Sequence, residues 1–392
     1  MDKIKFSIGQ SRIFSNNDSQ MISSVYDVAN KKIIISYRDA GDYNYGKSVV
    51  GSISGDNIVF DDPVVFNNSN IAFLSSAYDN KTERFAVAYR DYDDNDRGKV
   101  AIGKILLTSK KIHFGSPITF CRSQCDYVDV ASDPVNNKFV MVFQDAKDGR
   151  KGKSNVGYTF GETIVVGSPE TYCNGSYSNF NKVLFDSNSG KMLVFYREGS
   201  DLGKGKVIVG SVSKQTISFP DEPMVFTSGI AQYLSPVMVY PGSKFVVAFS
   251  HKCISIKDSS KAMFSKITRR IIPKNNVESV TENGKVALCE IVGNNLIVHD
   301  VKTFSSGENK FISTTLLEKK GLVMISYNHT ADSERGKICV CKVIGNKLDL
   351  LGDAVFNNDK TNHISSVYNC HDDNVLVSFQ SGSRGRVLVV KI

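Results

Sequence analysis

Residues 37–51 read YRDAGDYNYGKSVVG, and this pattern of an aromatic residue, an acidic turn and a Gly-Lys pair returns along the whole 392-residue chain. Successive copies begin 52, 54, 53, 53, 78 and 52 residues apart. A nearly fixed period of this size is typical of solenoids, propellers and other repeat architectures. The aromatic residues that open the seven copies are Tyr37, Tyr89, Phe143, Tyr196, Phe249, Tyr327 and Phe379.

Each repeat consists of strand-length pieces. In the first repeat these are ISSVYDV, KKIIISYRD, GKSVVGSIS and NIVFDDPVVF, which are rich in β-branched and aromatic residues and bounded by Gly, Asn, Asp or Pro. Four strands in a repeat of this length predict a propeller blade. The second strand, at Lys32–Asp39, has no strongly polar face. Its equivalents at 139–143 and 191–196 are apolar on both faces, as expected for blades that are buried on two sides.

The two chain ends predict how the repeats close. The last repeat stops after GRVLVVKI (385–392) without a fourth strand, and IKFSIGQSRIF (4–14) aligns with the fourth strand IVFDDPVVF (58–66). We therefore expect an all-β fold, a single seven-bladed β-propeller of four-stranded antiparallel blades over residues 1–392. Residues 4–14 would complete the C-terminal blade and remove an open sheet edge. Residues 252–283 are an insertion in the fifth repeat.

Composition narrows the class of protein. The chain has no apolar run long enough to span a membrane, and its first residues lack the apolar core of a signal peptide, which predicts a cytoplasmic or virion location. The eight cysteines and six histidines lack the spacing of a disulfide framework or a zinc site, so no metal or other cofactor is predicted. Cys289 and Cys341 replace glycine in the repeat and are expected to fill a tight contact. The net charge of +8 points to an anionic partner.

A basic residue follows the hairpin between the second and third strands of every repeat. In one interpretation the glycine before it supplies a positive-φ turn position and the cation is a solvated strand start. In the other, the basic residues form a cationic ring that binds phosphate, sulfate or carboxylate groups. The candidate ligand-binding residues of this lysine column are Lys47, Lys99, Lys153, Lys206, Lys285, Lys337 and Arg386.

Acidic residues surround the lysine column, most densely in DYDDNDRG (91–98). This stretch lacks the final glutamate and the flanking helices of an EF-hand, so turn capping by Asp explains it without a metal. The Arg-Asp pair at Arg38-Asp39 changes along the repeats to Gln380-Ser381. Because the pair stands at a repeated position and its residue types change from copy to copy, a salt-bridging or capping role is favoured over a catalytic one.

The insertion at 252–283 is the second candidate site. It carries seven basic and three acidic residues, and a short amphipathic helix and an extended hairpin fit its pattern equally well. Long loops on a rigid scaffold commonly carry function. Its candidate ligand-binding residues are Lys261, Lys266, Arg269 and Arg270.

The unit YRD…GK–VVGSISG–NIVFDDPVVFN resembles a repeat seen in tail-fibre and virion-associated propeller proteins of phages and large DNA viruses. The resemblance covers nearly all of the chain outside 252–283. It implies a non-enzymatic structural or binding protein of a virion or attachment apparatus. Such a protein would present its loop face and basic insertion to a protein partner, an anionic glycan or another polyanionic surface. No catalytic residue is predicted on this interpretation.

The alternative is a glycan-active, glycoside hydrolase-like enzyme with acids at the ends of the inner strands. The candidates follow the first strands of four repeats, where they are also expected to cap turns: Asp27, Asp79, Asp133 and Asp186. Nucleic-acid binding ranks last, because the insertion contains only Phe264 as an aromatic residue.

Overall fold

The computed structural model describes residues 4–106, 111–239, 242–256 and 277–392, which form β-strands and a 3₁₀ turn at Gly199–Asp201. The strands of the first three repeats and of the N-terminal segment are β1 (Ser7–Ile8), β2 (Arg12–Ser15), β3 (Ser19–Asp27), β4 (Lys32–Asp39), β5 (Tyr45–Ser54), β6 (Asn57–Phe60), β7 (Val64–Asn67), β8 (Ile71–Asp79), β9 (Arg84–Asp91), β10 (Arg97–Ile105), β11 (Ile112–Phe114), β12 (Ile118–Cys121), β13 (Cys125–Asp133), β14 (Lys138–Asp145), β15 (Lys151–Phe160), β16 (Thr163–Val166) and β17 (Glu170–Cys173). The remaining strands are β18 (Ser178–Asp186), β19 (Lys191–Glu198), β20 (Lys204–Ser213), β21 (Thr216–Ser218), β22 (Met224–Val239), β23 (Lys244–Ile256), β24 (Val277–Val292), β25 (Asn295–Ser306), β26 (Asn309–Leu317), β27 (Leu322–His329), β28 (Arg335–Ile344), β29 (Lys347–Asn369), β30 (Asn374–Ser381) and β31 (Arg384–Lys391).

Every repeat pairs its strands antiparallel and in sequence order. In the first repeat β3 pairs with β4, β4 with β5, and β5 with both β6 and β7. The second strand occupies Lys32–Asp39, as the sequence predicts. The predicted fourth strand at 58–66 is instead two segments, because Pro63 has no N–H to donate between them. The result is an all-β, propeller-like arrangement of antiparallel sheets.

The first strands of consecutive repeats lie side by side. Between β3 and β8, Ser23 Oγ and Ser76 Oγ are 2.8 Å apart. Between β22 and β26, Thr314 N donates to Ser235 Oγ at 2.9 Å. The first and last repeats are joined in the same way, since Ser24 N of β3 donates to Ser365 Oγ of β29 at 2.9 Å.

The N-terminal segment pairs with the last strand of the chain. β1 and β2 both lie antiparallel to β31, with Ser7 opposite Lys391 and Ile13 opposite Arg386. This is the pairing that the sequence predicts for residues 4–14. Phe14 lies against Gly385, where a Cβ atom would be only 2.4 Å from the Phe14 ring.

The core lies between the sheets and is built from the second and third strands. The aromatic residues that open the repeats are its largest members, and Tyr37 and Phe249 are each 1% exposed. The expectation that Gly46 supplies a positive-φ turn position is wrong, because Tyr43 and Asn44 take the left-handed conformation instead. Gly46 is needed for space, since a Cβ there would come within 2.4 Å of the Phe66 ring.

The described ends of the insertion continue the hairpin of the fifth repeat. β23 and β24 pair far beyond the other repeats' hairpins, from Lys252 opposite Glu282 to Ile256 opposite Val277. This agrees with the extended-hairpin alternative for these ends. Cys289 and Cys341 are fully buried, as expected. Residues 257–276, with the candidate residues Lys261, Lys266, Arg269 and Arg270, lie outside the described residues.

In the four described ranges, no helix has the length and apolarity needed to cross a membrane.

Candidate functional site

A β-bulge interrupts the first strand of every repeat at the same place. In β3, Gln20 pairs with Arg38 and Ser23 with Ser36, so Met21 and Ile22 together face one residue of β4. The other six first strands show the same register shift. The first bulge residue has a φ between 49° and 53° in all seven repeats. We call these residues the bulge row: Met21, Phe73, Tyr127, Phe180, Tyr233, Phe311 and His363.

This conformation is unfavourable for residues other than glycine, and such strain is concentrated at functional sites. Bulges re-aim side chains, and here they bring six aromatic rings of the bulge row into a continuous wall. Their centroids are 5.1, 5.4, 5.1, 5.7 and 4.7 Å apart in chain order. All seven residues are half-buried. Part of each residue in the wall is therefore accessible to solvent.

A second row of polar residues lies beside this wall, near the ends of the second strands. Six of its seven members hydrogen-bond to the start of the first strand in the next repeat. Gln144, for example, donates to Ser178 O at 3.0 Å, and Gln380 joins the last repeat to the first through Asp18 at 2.6 Å. We call these residues the strand-two row: Arg38, Arg90, Gln144, Arg197, Ser250, Asn328 and Gln380.

Arg90 is the best-bound cation of the strand-two row. Its guanidinium forms ion pairs with Asp126 of the next repeat and, at 3.4 Å, with Asp96. It also stacks over the Tyr92 and Phe73 rings, at 4.0 and 5.2 Å from their centroids. Arg90 is 7% exposed, so its charge is compensated within a largely buried cluster.

Arg197 is the exception in the strand-two row. In the part of the chain that the structure describes, its guanidinium has no ion pair and no hydrogen-bond acceptor, and Nε is buried. Its contact is with the Phe180 ring, 5.2 Å from the centroid. Burial without a compensating carboxylate lowers the pKa of Arg197. A buried cation without a counter-charge is costly, so the site favours an anion.

Asp18 is the converse case, a carboxylate held only by neutral donors. It accepts hydrogen bonds from Gln20 Nε2 at 2.8 Å and Gln380 Nε2 at 2.6 Å. Asp18 makes no ion pair within the described ranges. Burial lowers the pKa of the nearby His363 to about 4, with Asp18 acting weakly in the opposite direction. His363 is therefore neutral at pH 7.

The lysine column lies at the same end of the repeats, and most of it is neutralised. Lys99 binds Asp91 at 2.8 Å and Asp94 at 2.9 Å. Burial alone would lower the pKa of Lys99, but these hydrogen bonds raise it. Carboxylates likewise bind four other members of the column, namely Lys47, Lys153, Lys206 and Lys337.

Lys285 and Arg386 have no carboxylate partner among the described residues, and Arg386 instead donates to Ser11 Oγ at 3.2 Å. A ligand-binding role of the column stays a prediction. In the Arg-Asp pair, Asp39 binds Lys47 at 2.8 Å and caps Gly41 N at 3.1 Å, which confirms the salt-bridging and capping role expected for it.

The acids that follow the first strands are turn caps. Asp133 accepts from the N–H groups of Val135 and Asn136 at 3.1 and 3.0 Å and is fully buried. Asp27, Asp79 and Asp186 bind their own turns in the same way. Capping is therefore confirmed for these acids, and the carboxylates of the bulge end are different, half-buried residues, Asp18, Asp126 and Glu308.

Sequence reasoning missed the bulge row, although a signal was present. Once the repeats are aligned, a large residue follows a polar or small one in every first strand, as in Gln20-Met21, Asp126-Tyr127 and Lys310-Phe311. The seven positions looked like ordinary alternation in a strand. Only the shared register shift shows that they face one another.

No family model and no curated protein matches this chain. Solved structures do share its fold. The periplasmic gluconolactonase PpgL of Pseudomonas aeruginosa matches with a TM-score of 0.55 and 11% identity over 95% of this chain and 98% of that protein. AofleA from Arthrobotrys oligospora matches with 0.48 and 11%, over 88% and 91%. A sialidase of Trypanosoma rangeli matches with 0.47 and 10%, over 95% of this chain and 54% of the sialidase.

These comparisons correct two predictions. The non-enzymatic assignment rested on a resemblance to phage and virus propellers, which no family model or curated relative bears out. The match to PpgL places the chain in a propeller-like fold that an enzyme uses, so the ground for excluding catalysis is removed. The prediction of a virion or attachment function and the exclusion of enzymatic activity are therefore wrong.

Proposed function

We propose that residues 1–392 form one closed ring of seven blades and that the bulge row surrounds the mouth of its central channel. The contact between Ser24 and Ser365, the bond between Gln380 and Asp18, and the pairing of β1 and β2 with β31 all support this closure. Six tilted rings in succession, each half-buried, are the arrangement expected around such a mouth.

We propose that the protein is a glycan-active hydrolase with its active site at this mouth. The observation that carries the proposal is the bulge row itself, a strained aromatic wall next to Asp18 and Arg197, which make no ion pair in the described chain. Aromatic faces bind the apolar faces of sugar rings, and buried polar groups fix their orientation.

The reaction assigned to the mouth is hydrolysis with carboxylate participation. Glycosidases place two carboxylates across the scissile bond, one for proton donation and one to activate water or attack the sugar. Asp18 takes the role of base, because only amide donors hold it and it is available to accept a proton. Of the other carboxylates at this end, Asp126 is bound to Arg90 and Glu308 to Lys310 at 3.1 Å; because an adjacent cation favours the ionised form, neither is assigned as the acid.

A second candidate reaction is the opening of a sugar lactone, which the fold shared with the gluconolactonase PpgL favours. The same base would activate water for attack on the lactone carbonyl. The two reactions therefore share Asp18 and the aromatic wall, and differ in whether an acid is needed for the leaving group.

Hydrolysis assays with a panel of aryl glycosides and aldonolactones test this function. We expect turnover with at least one substrate and a loss of about 10²-fold or more in kcat for Asp18→Asn. Arg84→Gln, at the opposite end of the second strand of the second repeat, serves as the control and should keep its activity. No turnover across both substrate classes, or full activity of Asp18→Asn, would refute the proposal.

A further inference from the structure

We propose that Arg197 binds the carboxylate of an acidic sugar, so that the ligands of the mouth are of the uronic-acid type. The identification of the ligand as a sugar rests on the proposed function, whereas anion recognition at Arg197 rests on the geometry of the strand-two row.

The charge of Arg197 is not needed for the contacts between repeats. In six repeats the strand-two row bonds to the next repeat, and neutral Gln144 and Gln380 serve this purpose as well as arginine does. Arg197 makes no such bond within the described ranges, although it is half-buried. A guanidinium in that position has five donors and an uncompensated charge to offer a ligand.

The acidic residues next to Arg197 are already bound to other groups. Glu198, the next residue, accepts from Lys206 at 2.7 Å and from Ser200 at 2.6 Å. Asp201 binds Lys204 and Lys206 at 3.1 and 3.2 Å. The position that supplies Asp126 to Arg90 is occupied by neutral Gln232 in the repeat that follows Arg197.

Aromatic rings surround the guanidinium of Arg197 and determine the shape of the site. The Phe180 ring supports the guanidinium, and the rings of Tyr127 and Tyr233 flank Phe180 at 5.4 and 5.1 Å. A guanidinium binds the two oxygens of a carboxylate in a planar, bidentate manner. A phosphate carries nearly two charges and normally draws several cations. One guanidinium beside aromatic rings thus fits a carboxylate on a sugar ring.

The test is a binding measurement on the intact protein by isothermal titration calorimetry, with D-glucuronate, D-glucose and glucose 6-phosphate as probes. We expect glucuronate to bind at least about 10-fold more tightly than glucose, which corresponds to about 1.4 kcal/mol. Arg197→Gln should abolish this preference. Glutamine is native at two equivalent positions, so the variant is expected to fold, and a thermal melt verifies this. Arg84→Gln, at the opposite end of the second strand in another repeat, is the matched control and should keep the preference.

A second variant tests the same site without removing the arginine. Gln232→Asp places a carboxylate where Asp126 stands relative to Arg90, and it should also abolish the preference for glucuronate. The inference is overturned if wild-type protein shows no preference for glucuronate, if glucose 6-phosphate binds more tightly, or if Arg197→Gln retains the preference. A preference that depends on Arg197 in a protein without hydrolase activity would support this inference while refuting the proposed function.

Discussion

Arg90 and Arg197 occupy the same position in two repeats, but only one of them is compensated. Arg90 is bound by Asp126 from the following first strand, whereas the equivalent residue for Arg197 is Gln232. The backbone register is the same in both places. Asp96, the second carboxylate on Arg90, is likewise replaced by Gly203 beside Arg197, so two acidic residues decide whether the cation is compensated.

The largest effect expected from this comparison is on stability. Arg90→Gln leaves Asp126 and Asp96 without their cation in a largely buried cluster, and should lower the free energy of unfolding by about 3 kcal/mol. Arg197→Gln removes no ion pair of the described chain, and the cation–π contact with Phe180 that it loses is offset by relief of an uncompensated charge, so the free energy of unfolding should change by less than about 1 kcal/mol. Urea denaturation of both variants measures the difference, and equal losses would show that Arg197 has a structural partner.

A second comparison lies within the bulge row, between His363 and Phe311, whose rings are 4.7 Å apart. Burial lowers the pKa of His363 to about 4 in the folded protein, whereas an unfolded histidine has a pKa of about 6.5. The unfolded chain therefore takes up the proton first as pH falls. The stability that neutral His363 contributes is complete above about pH 6.5 and is lost progressively towards pH 4.

His363→Phe places the residue of three other repeats in the row and removes this titration. Between pH 7 and pH 4, wild-type protein should lose about 1–2 kcal/mol more stability than the variant, since the half-buried ring is partly screened by solvent. Denaturant unfolding at several pH values measures this difference. If the unfolding free energies of the two proteins fall in parallel as pH is lowered, the protonation of His363 is not linked to folding and the prediction is wrong.

The repeat architecture could be predicted from the sequence because the residues that pack the core return in every repeat. The second strand at Lys32–Asp39 and the pairing of residues 4–14 with the last repeat follow from apolar runs and turn residues alone. The role of Gly46 was misjudged, because a sequence shows that glycine is required but not whether φ or space requires it. The aromatic ring that excludes a side chain there, Phe66, comes from another strand.

The candidate site could not be predicted from the sequence, for a different reason. The bulge row depends on a register shift, which is set by backbone hydrogen bonds and leaves no turn residue as a marker. The state of Arg197 depends on what is missing from the following repeat, about 35 residues away at Gln232. Local motifs cannot report such an absence, since Arg90 and Arg197 both stand in a stretch with an aromatic residue, an acidic turn and a Gly-Lys pair.

The smallest effect is expected within the lysine column, where a cation with carboxylate partners can again be compared with one that has none. Lys99→Met leaves the buried Asp91 without its cation and should cost about 1 kcal/mol of unfolding free energy, because Ser69 at 2.6 Å and the turn N–H groups still bind Asp91. Lys285→Met removes no ion pair within the described chain and should be neutral to within about 0.3 kcal/mol. Thermal and urea unfolding of the pair measure the contrast. A loss at Lys285 as large as that at Lys99 would mean that Lys285 serves the fold as Lys99 does and is not left for a ligand.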